Sequence, residues 1–344
     1  MKPRERVFAA LEHREPDRVP RFEVWIDNDE LVAHVGDGDL QRAHVNLGLD
    51  CIIIPNQNPP GSNAWGDGLD EWGCIWKNGW YAGGVVETEE DLKRFTPSLD
   101  YVDEYFDPVR TEDAMQQYPD HCFIYGSHIG PFTAAYMAMG MERFFPNLFK
   151  RPAFARNLME ARTEWCIAMF DRAASLGAEI LVLGDDAGHK GGPMISPQMW
   201  REFVLPYHRR IVEAARVPVI WHSDGDIISL LPMAIEAGFV GVHSLEPGAG
   251  MDLAKLKRDF GDELVFIGNV DTVVLCGDDL EAVRAEVRRC VEQGAAGGGY
   301  MFASCNSIFA GMNPAAVVEM YRYAGEIGLY KDMHSITGGD RDSE

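Results

Sequence analysis

Eight short apolar runs recur along the chain, and each gives way to polar residues at its C-terminal end. The runs cover residues 22–26, 51–55, 123–125, 180–183, 217–221, 241–243, 264–267 and 299–302. Their polar ends are Asp27, Asn56 with Gln57, Ser127 with His128, Asp185 with Asp186, His222 with Asp224, Glu246, Asn269 with Asp271, and Cys305 with Asn306. Between the later runs lie segments with helical periodicity. Residues 279–292 place Leu280, Val283, Val287 and Val291 on one stripe. Strand, helix and Gly-containing turn in alternation is the rhythm of βα units. A parallel barrel gathers the C-terminal ends of its strands around one open mouth, where active sites lie. The pattern therefore predicts an α/β fold, a (β/α)8 TIM barrel, and the location of its site.

The other elements follow from local signals. Residues 3–12 predict a short amphipathic helix before the first strand. Pro152 starts a helix reaching to about Leu176, with Gly177 as its stop, and Ser196-Pro197 caps the next. A long insertion after the second strand, roughly 56–122, is dense in Trp and Gly. A connection of that length in a compact barrel is expected to cover a site, the alternative being a surface hairpin. Residues 1–330 read as one domain, and the polar segment 331–344 as a mobile tail.

The chain has 344 residues, enough for a barrel of ~250 residues with insertions. Its net charge of −23 opposes nucleic acid and anionic lipid as partners. The seven cysteines are scattered, without a CxxC pair, which fits buried thiols in a reducing compartment. No stretch reads as a signal peptide or a membrane span. The expectation is a cytoplasmic protein, with a homodimer in view because barrels often pair.

Among the strand ends, His222 and Asp224 stand two residues apart and point the same way, so they can share a metal or a proton. Asp185 and Asp186 face opposite ways in an extended segment. One is expected to enter the mouth and the other to cap backbone amides. Cys305 would sit across the mouth from His222. A His, a Cys and one carboxylate make three ligands with an open position, the arrangement of a catalytic zinc site. The expected metal set is His222, Cys305 and a carboxylate from Asp186 or Asp224. Tyr136, His128 and Asp224 are the candidate proton-handling residues. Trp25, Asp27, Asn56, Asp185, Glu246, Asn269 and Asn306 are the candidate substrate contacts. Trp65, Trp72, Trp76 and Trp80 read as core or lid, or as an aromatic wall for a methoxyarene or methylammonium. Lys190 is the one Lys or Arg close to a strand end. The pocket thus reads as one for a neutral or cationic ligand, or a metal, rather than a polycarboxylate.

With these residues in view, the chain resembles the uroporphyrinogen decarboxylase superfamily. The matching segments are RERVFAALEHREPDRVP, DEWGCIW, GPFTAAYMAMG, GDDAGHKGGPMISPQMWREFVLPYHRRIV, HSDGD, AGMDLAKLKRDFGDELVFIGNVDT and GGGYMFASCNSI. The resemblance implies a (β/α)8 barrel and either porphyrinogen decarboxylation or methyl transfer. Tyr136 matches a tyrosine of the decarboxylases, but Asn56 and Gln57 stand where they carry an aspartate, and their arginine loop is absent. Zinc methyltransferases of the superfamily carry a His-x-Cys pair and a later Cys. His222 and Cys305 match, while Asp224 replaces the middle Cys. A second ligand set of Asp186, Glu202 and His222 resembles that of aryl-ether demethylating relatives. The resemblance thus implies a methyltransferase acting on a small methylated compound, assisted by zinc and served by a corrinoid protein. A carboxy-lyase and a non-catalytic binding relative are the alternatives.

Overall fold

The structure is a computed structural model that describes residues 1–57, 66–127 and 129–337, with side chains through Met333. Helix α1 (Pro3–Leu11) buries Val7, Ala9 and Ala10. Strand β1 (Ile26–Asp27), helices α2 (Asp29–Gly36) and α3 (Leu40–Asn46), and strand β2 (Cys51–Ile53) follow. The insertion holds three short strands, β3 (Gly68–Leu69), β4 (Cys74–Lys77) and β5 (Trp80–Gly84), then α4 (Glu89–Arg94), a 3-10 turn at Leu99–Tyr105 and α5 (Pro108–Gln117). Strand β6 (Cys122–Ser127) leads into α6 (Pro131–Met139), α7 (Met141–Lys150) and α8 (Pro152–Ser175). After β7 (Ile180–Gly184), a small hairpin of β8 (Gly188–His189) and β9 (Gly192–Pro193) precedes α9 (Pro197–Phe203) and α10 (Leu205–Ala214). The chain continues through β10 (Val219–Ser223), α11 (Leu231–Ala237), β11 (Gly241–Ser244), α12 (Leu253–Phe260) and β12 (Val265–Val270). It ends with α13 (Thr272–Leu275), α14 (Leu280–Gly294), β13 (Tyr300–Ser304), β14 (Ile308–Phe309), α15 (Pro314–Ile327) and α16 (Tyr330–Thr337).

Seven of the eight apolar runs form one parallel sheet in the order β13-β12-β11-β10-β7-β6-β2. The first run departs from expectation. Its end pairs only with β14, outside the main sheet (Ile26 beside Ile308). The stretch before it bridges the two sheet edges through single bonds. Phe22 N donates to Phe302 O at 2.8 Å and Phe302 N to Pro20 O at 2.8 Å, while Asp50 N donates to Arg21 O at 2.8 Å on the far side. Pro20 has no N–H to give, so a continuous ladder cannot form there. The sheet is strongly curled and TIM-barrel-like.

Strand residues alternate between two cores. Ile53, Ile124, Ile180, Val182, Ile220, Ile267 and Met301 pack together with Val24 and Trp25, and Val7 and Ala10 of α1 join that cluster. Their sequence neighbours, such as Leu181, Trp221 and Phe266, pack against the helices. Strands buried on both faces read as unbroken apolar runs, which is why the sequence exposed them.

The insertion is ordered secondary structure rather than a long open loop. Asn78 and Gly79 both take positive φ (52° and 76°), forming the tight turn between β4 and β5. Cys74 and Trp76 point inward, Ile75 and Lys77 outward. The hairpin is fastened to α6, where Tyr81 donates to Met137 O at 2.9 Å. A Cβ at Gly84 would lie 2.1 Å from Met137 O, so only glycine permits this approach. Trp80, by contrast, is 79% exposed. The expected tail after Tyr330 begins with α16. Among the described residues no helix is long and apolar enough to cross a membrane.

Candidate functional site

The ends of β7 and β10 bring Asp186, His222 and Asp224 together, with donor atoms all within 4.8 Å of one another. His222 Nε2 lies 3.9 Å from Asp186 Oδ1 and 3.7 Å from Asp224 Oδ1. Two donors bonded to one zinc stand about 3.4 Å apart at a tetrahedral angle. The two His222 pairs lie within about half an ångström of that spacing, and the group as a whole would draw together from within 4.8 Å to close on a divalent cation, with further positions left open.

Each member is held from behind. Asp186 N donates to Thr133 Oγ1 at 2.7 Å, and Asp186 Oδ1 accepts from Asp224 N at 3.0 Å. Asp224 Oδ2 accepts from Asn306 Nδ2 at 2.8 Å, and the Ser244 hydroxyl lies 3.0 Å from Oδ1. His222 Nδ1 sits 2.7 Å from His243 Nδ1, and Trp25 stands edge-on to the His222 ring at 4.9 Å. Burial, then the Asp224 charge, pushes the Asp186 carboxyl well above the usual carboxylate range. Burial lowers His222, against the raising effect of Asp224. His243 is held far below the usual imidazole range by burial and then by His222. Two carboxyl groups and an imidazole, crowded and partly desolvated, form a site whose acidic charge a dication would offset.

The structure brings together some predicted residues and separates others. Cys305 is not in the donor group. Its carbonyl, not its thiol, faces Ser244, at 2.5 Å. The thiol is pushed up to about 12 by burial, an effect only partly opposed by a hydrogen bond from the Thr272 backbone. Asp224, the other carboxylate named as a possible ligand, is the third member of the donor group. Glu202 is exposed on α9 and pairs with Arg156.

Asp185 is fully buried and cannot touch a substrate. Its oxygens accept from Thr133 N at 2.7 Å and Phe132 N at 3.2 Å, capping α6, and Oδ2 meets His208 Nε2 at 2.7 Å. It is the amide-capping member of the adjacent pair. Asn269 is likewise spoken for: Nδ2 donates to Leu245 O and Met251 O, and Oδ1 accepts from Arg289. Asn306 braces Asp224. Glu246 is half-buried ahead of the Pro247–Ala249 turn, outside the donor group. Asp27 and Asn56 are exposed, Asn56 bridging to Phe106. Tyr136 is buried against Phe145, and burial followed by the Asp186 charge raises its phenol, keeping it protonated. His128 and Trp65 lie outside the described residues. A hollow of about 630 Å³ opens by Phe123, Ala178 and Val217 at the opposite strand ends, away from all of these groups.

Sequence reasoning missed His243, Ser244 and Thr133. A signal existed for the first two. His222-Ser223 and His243-Ser244 repeat one dipeptide, and the parallel register sets His222 beside His243 and Ser223 beside Ser244. Thr133 comes from a helix start and carried no strand-end signal.

Comparison with known proteins follows this geometry. The uroporphyrinogen decarboxylase (URO-D) family model matches residues 84–327. A "methylated-thiol--coenzyme M methyltransferase" from Methanosarcina mazei is 30% identical over 165 residues, 48% of this chain and 43% of that protein. A "uroporphyrinogen decarboxylase" from Thioalkalivibrio sulfidiphilus is 29% identical over 211 residues, 57% of this chain and 58% of that protein. The chain thus aligns with about half the length of these curated relatives. In structure, a "methyltransferase from Methanosarcina mazei" superposes with a TM-score of 0.77, covering 95% of this chain and 99% of that one at 20% identity, a likeness of fold. A family match over most of the chain, on a curled parallel sheet whose strand ends carry the site, places this protein in the uroporphyrinogen decarboxylase family.

Proposed function

We propose that this protein is a methyltransferase that moves a methyl group between a small O-, N- or S-methyl compound and a corrinoid protein or similar carrier. The observation that carries the reading is the Asp186–His222–Asp224 donor group at the strand ends. The methylated-thiol relative supports it. In this reading the sheet is completed as a (β/α)8 barrel by residues 20–26, and the donor group sits in its mouth.

A zinc ion held by His222, Asp186 and Asp224 would supply Lewis acidity to the heteroatom bearing the methyl group. The chain does the rest. Asn306 and Ser244 aim Asp224, and Thr133 fixes the backbone of Asp186. His243 orients the His222 ring so that Nε2 faces the two carboxylates. When the bond between methyl carbon and heteroatom breaks, the methyl leaves to the carrier and the heteroatom keeps the electron pair. Tyr136, held in its phenol form, or His128, is the proton donor to that leaving heteroatom.

The test is metal content and methyl transfer together. Purified protein should hold about one equivalent of zinc, and His222→Ala should lose both metal and transfer to cobalamin. A protein that binds no divalent cation, with His222→Ala fully active, rejects the reading. A carboxy-lyase is the second reading, favoured by the placement of Tyr136 beside the acidic cluster. Release of CO2 from uroporphyrinogen by metal-free protein would establish it.

A further inference from the structure

A second built cavity, about 120 Å³, lies between the insertion and the ends of β2 and β6. Trp72, Trp76, Tyr105, Tyr125 and Trp165 form its aromatic wall, and Arg162 of α8 is the one Lys or Arg among its lining residues. Trp72 and Tyr105 both meet Trp165 edge-on, at 5.3 and 5.4 Å, which gives the wall a fixed shape.

Arg162 is the unusual member. It is only 7% exposed, yet it forms no ion pair among the described residues. Its Nε donates to Ile129 O at 2.8 Å, and its guanidinium lies 4.3 Å over the Trp72 ring. The two Nη nitrogens have no oxygen partner among the described residues. The acids nearby are engaged elsewhere. Asp70 accepts from Trp72 N, Cys74 N and the Trp76 indole at 2.9, 2.8 and 2.7 Å, and Glu71 accepts from the Tyr105 hydroxyl at 3.0 Å. A buried guanidinium without a counter-ion is costly, and stacking relieves only part of that cost. What remains is a planar fork of donors bordering an aromatic slot.

One ligand chemistry answers all of these features. A carboxylate matches the fork in bidentate geometry, and a flat ring matches the walls. The volume is that of about four water molecules, close to one ring with its carboxylate. A methylammonium ligand is opposed by the Arg162 charge. A phosphate dianion would meet one cation with Asp70 and Glu71 beside it.

We propose that this cavity binds a small aryl carboxylic acid, with Arg162 as the anion-binding residue. Its lining includes none of Asp186, His222 and Asp224. The experiment titrates the full chain with benzoate, followed by tryptophan fluorescence and calorimetry. Saturable binding is expected, with benzyl alcohol and benzylamine failing at the same concentrations. A net charge of −23 opposes non-specific uptake of an anion, so saturation reports a local site. Arg162→Met should weaken benzoate binding by roughly tenfold or more, with its circular dichroism unchanged. Ser127→Leu, which narrows the slot and keeps the guanidinium, should do the same. Asp224→Asn should keep benzoate affinity while losing zinc, so the two readings fail separately. No saturation by benzoate, equal binding of the three probes, or wild-type affinity in a folded Arg162→Met protein would each overturn the proposal.

Discussion

Single residues carry opposed charges and protons here, and their signs can be tested. Asp186 and Asp224 repel each other until a cation joins them. Asp224→Asn should therefore raise the thermal midpoint of metal-free protein and abolish the further rise on adding zinc. Calorimetry with and without a chelator reads both. His243 touches no substrate in our reading and acts only through His222. His243→Phe should weaken zinc binding by about 10–100-fold, as loss of a partner behind a metal ligand does, while leaving the fold intact. Chelator competition measures this, and unchanged affinity would remove the positioning role. Glu23 offers a pH test away from the site. Its fully buried carboxyl is raised from 4.5 to about 7 by burial, against hydrogen bonds from Tyr321 and Ser304. The unfolded chain ionises this acid at lower pH than the folded one. Stability therefore falls as pH rises from 4.5 to about 7 and levels off above, by about 3 kcal/mol at most from this group. Glu23→Gln should flatten that slope in urea titrations across the same range.

At the scale of elements, the junction of β7 with α6 is the most informative. Gly130 precedes α6 and offers no side-chain cap, so Asp185 from the next strand serves instead. A Cβ at Gly130 would lie 2.5 Å from that of Asp185, so the cap needs the glycine. Asp185→Ala strips two amides and His208 of their partner and should cost about 3–5 kcal/mol in urea unfolding. Asp185→Asn, which keeps the shape, should cost less. Gly84→Ala should push the insertion hairpin off α6 and expose β4–β5 to limited proteolysis, with the main sheet still folded. Sequence spacing located seven strands because a strand covered on both faces is apolar throughout. The first run reaches both sheet edges only through single bonds, because Pro20 has no N–H to continue a ladder there. Sequence spacing also read the insertion as a long excursion, since three short strands and a 3-10 turn leave little periodicity to detect.

For the whole molecule, the curled sheet matters because it makes neighbours of strand ends far apart in sequence. Residues 186 and 224 meet as donors, and residue 306 braces them from another strand. Zinc binding should therefore report on global folding. At a hundredfold excess over its dissociation constant, zinc should add about 2.7 kcal/mol to unfolding and raise the midpoint reversibly. The second cavity follows the same logic at a different place, with residues from the insertion, β6 and α8 around one guanidinium.

The sequence by itself determined that strands and helices alternate, where most strands end, and that His222 with a neighbouring carboxylate stands at one of those ends. Periodicity and chain direction are local, so they survive in a string of letters. The tertiary structure alone decided which donors meet. Asp224 joins Asp186 and His222 in the donor group, while Cys305 stands outside it with its carbonyl accepting from Ser244. It also decided that Asp185 faces α6 while Asp186 faces the site, and that Arg162 reaches its cavity from a helix. Those outcomes depend on strand register, helix placement and rotamer, which arise only when the sheet closes and the side chains compete for the same space.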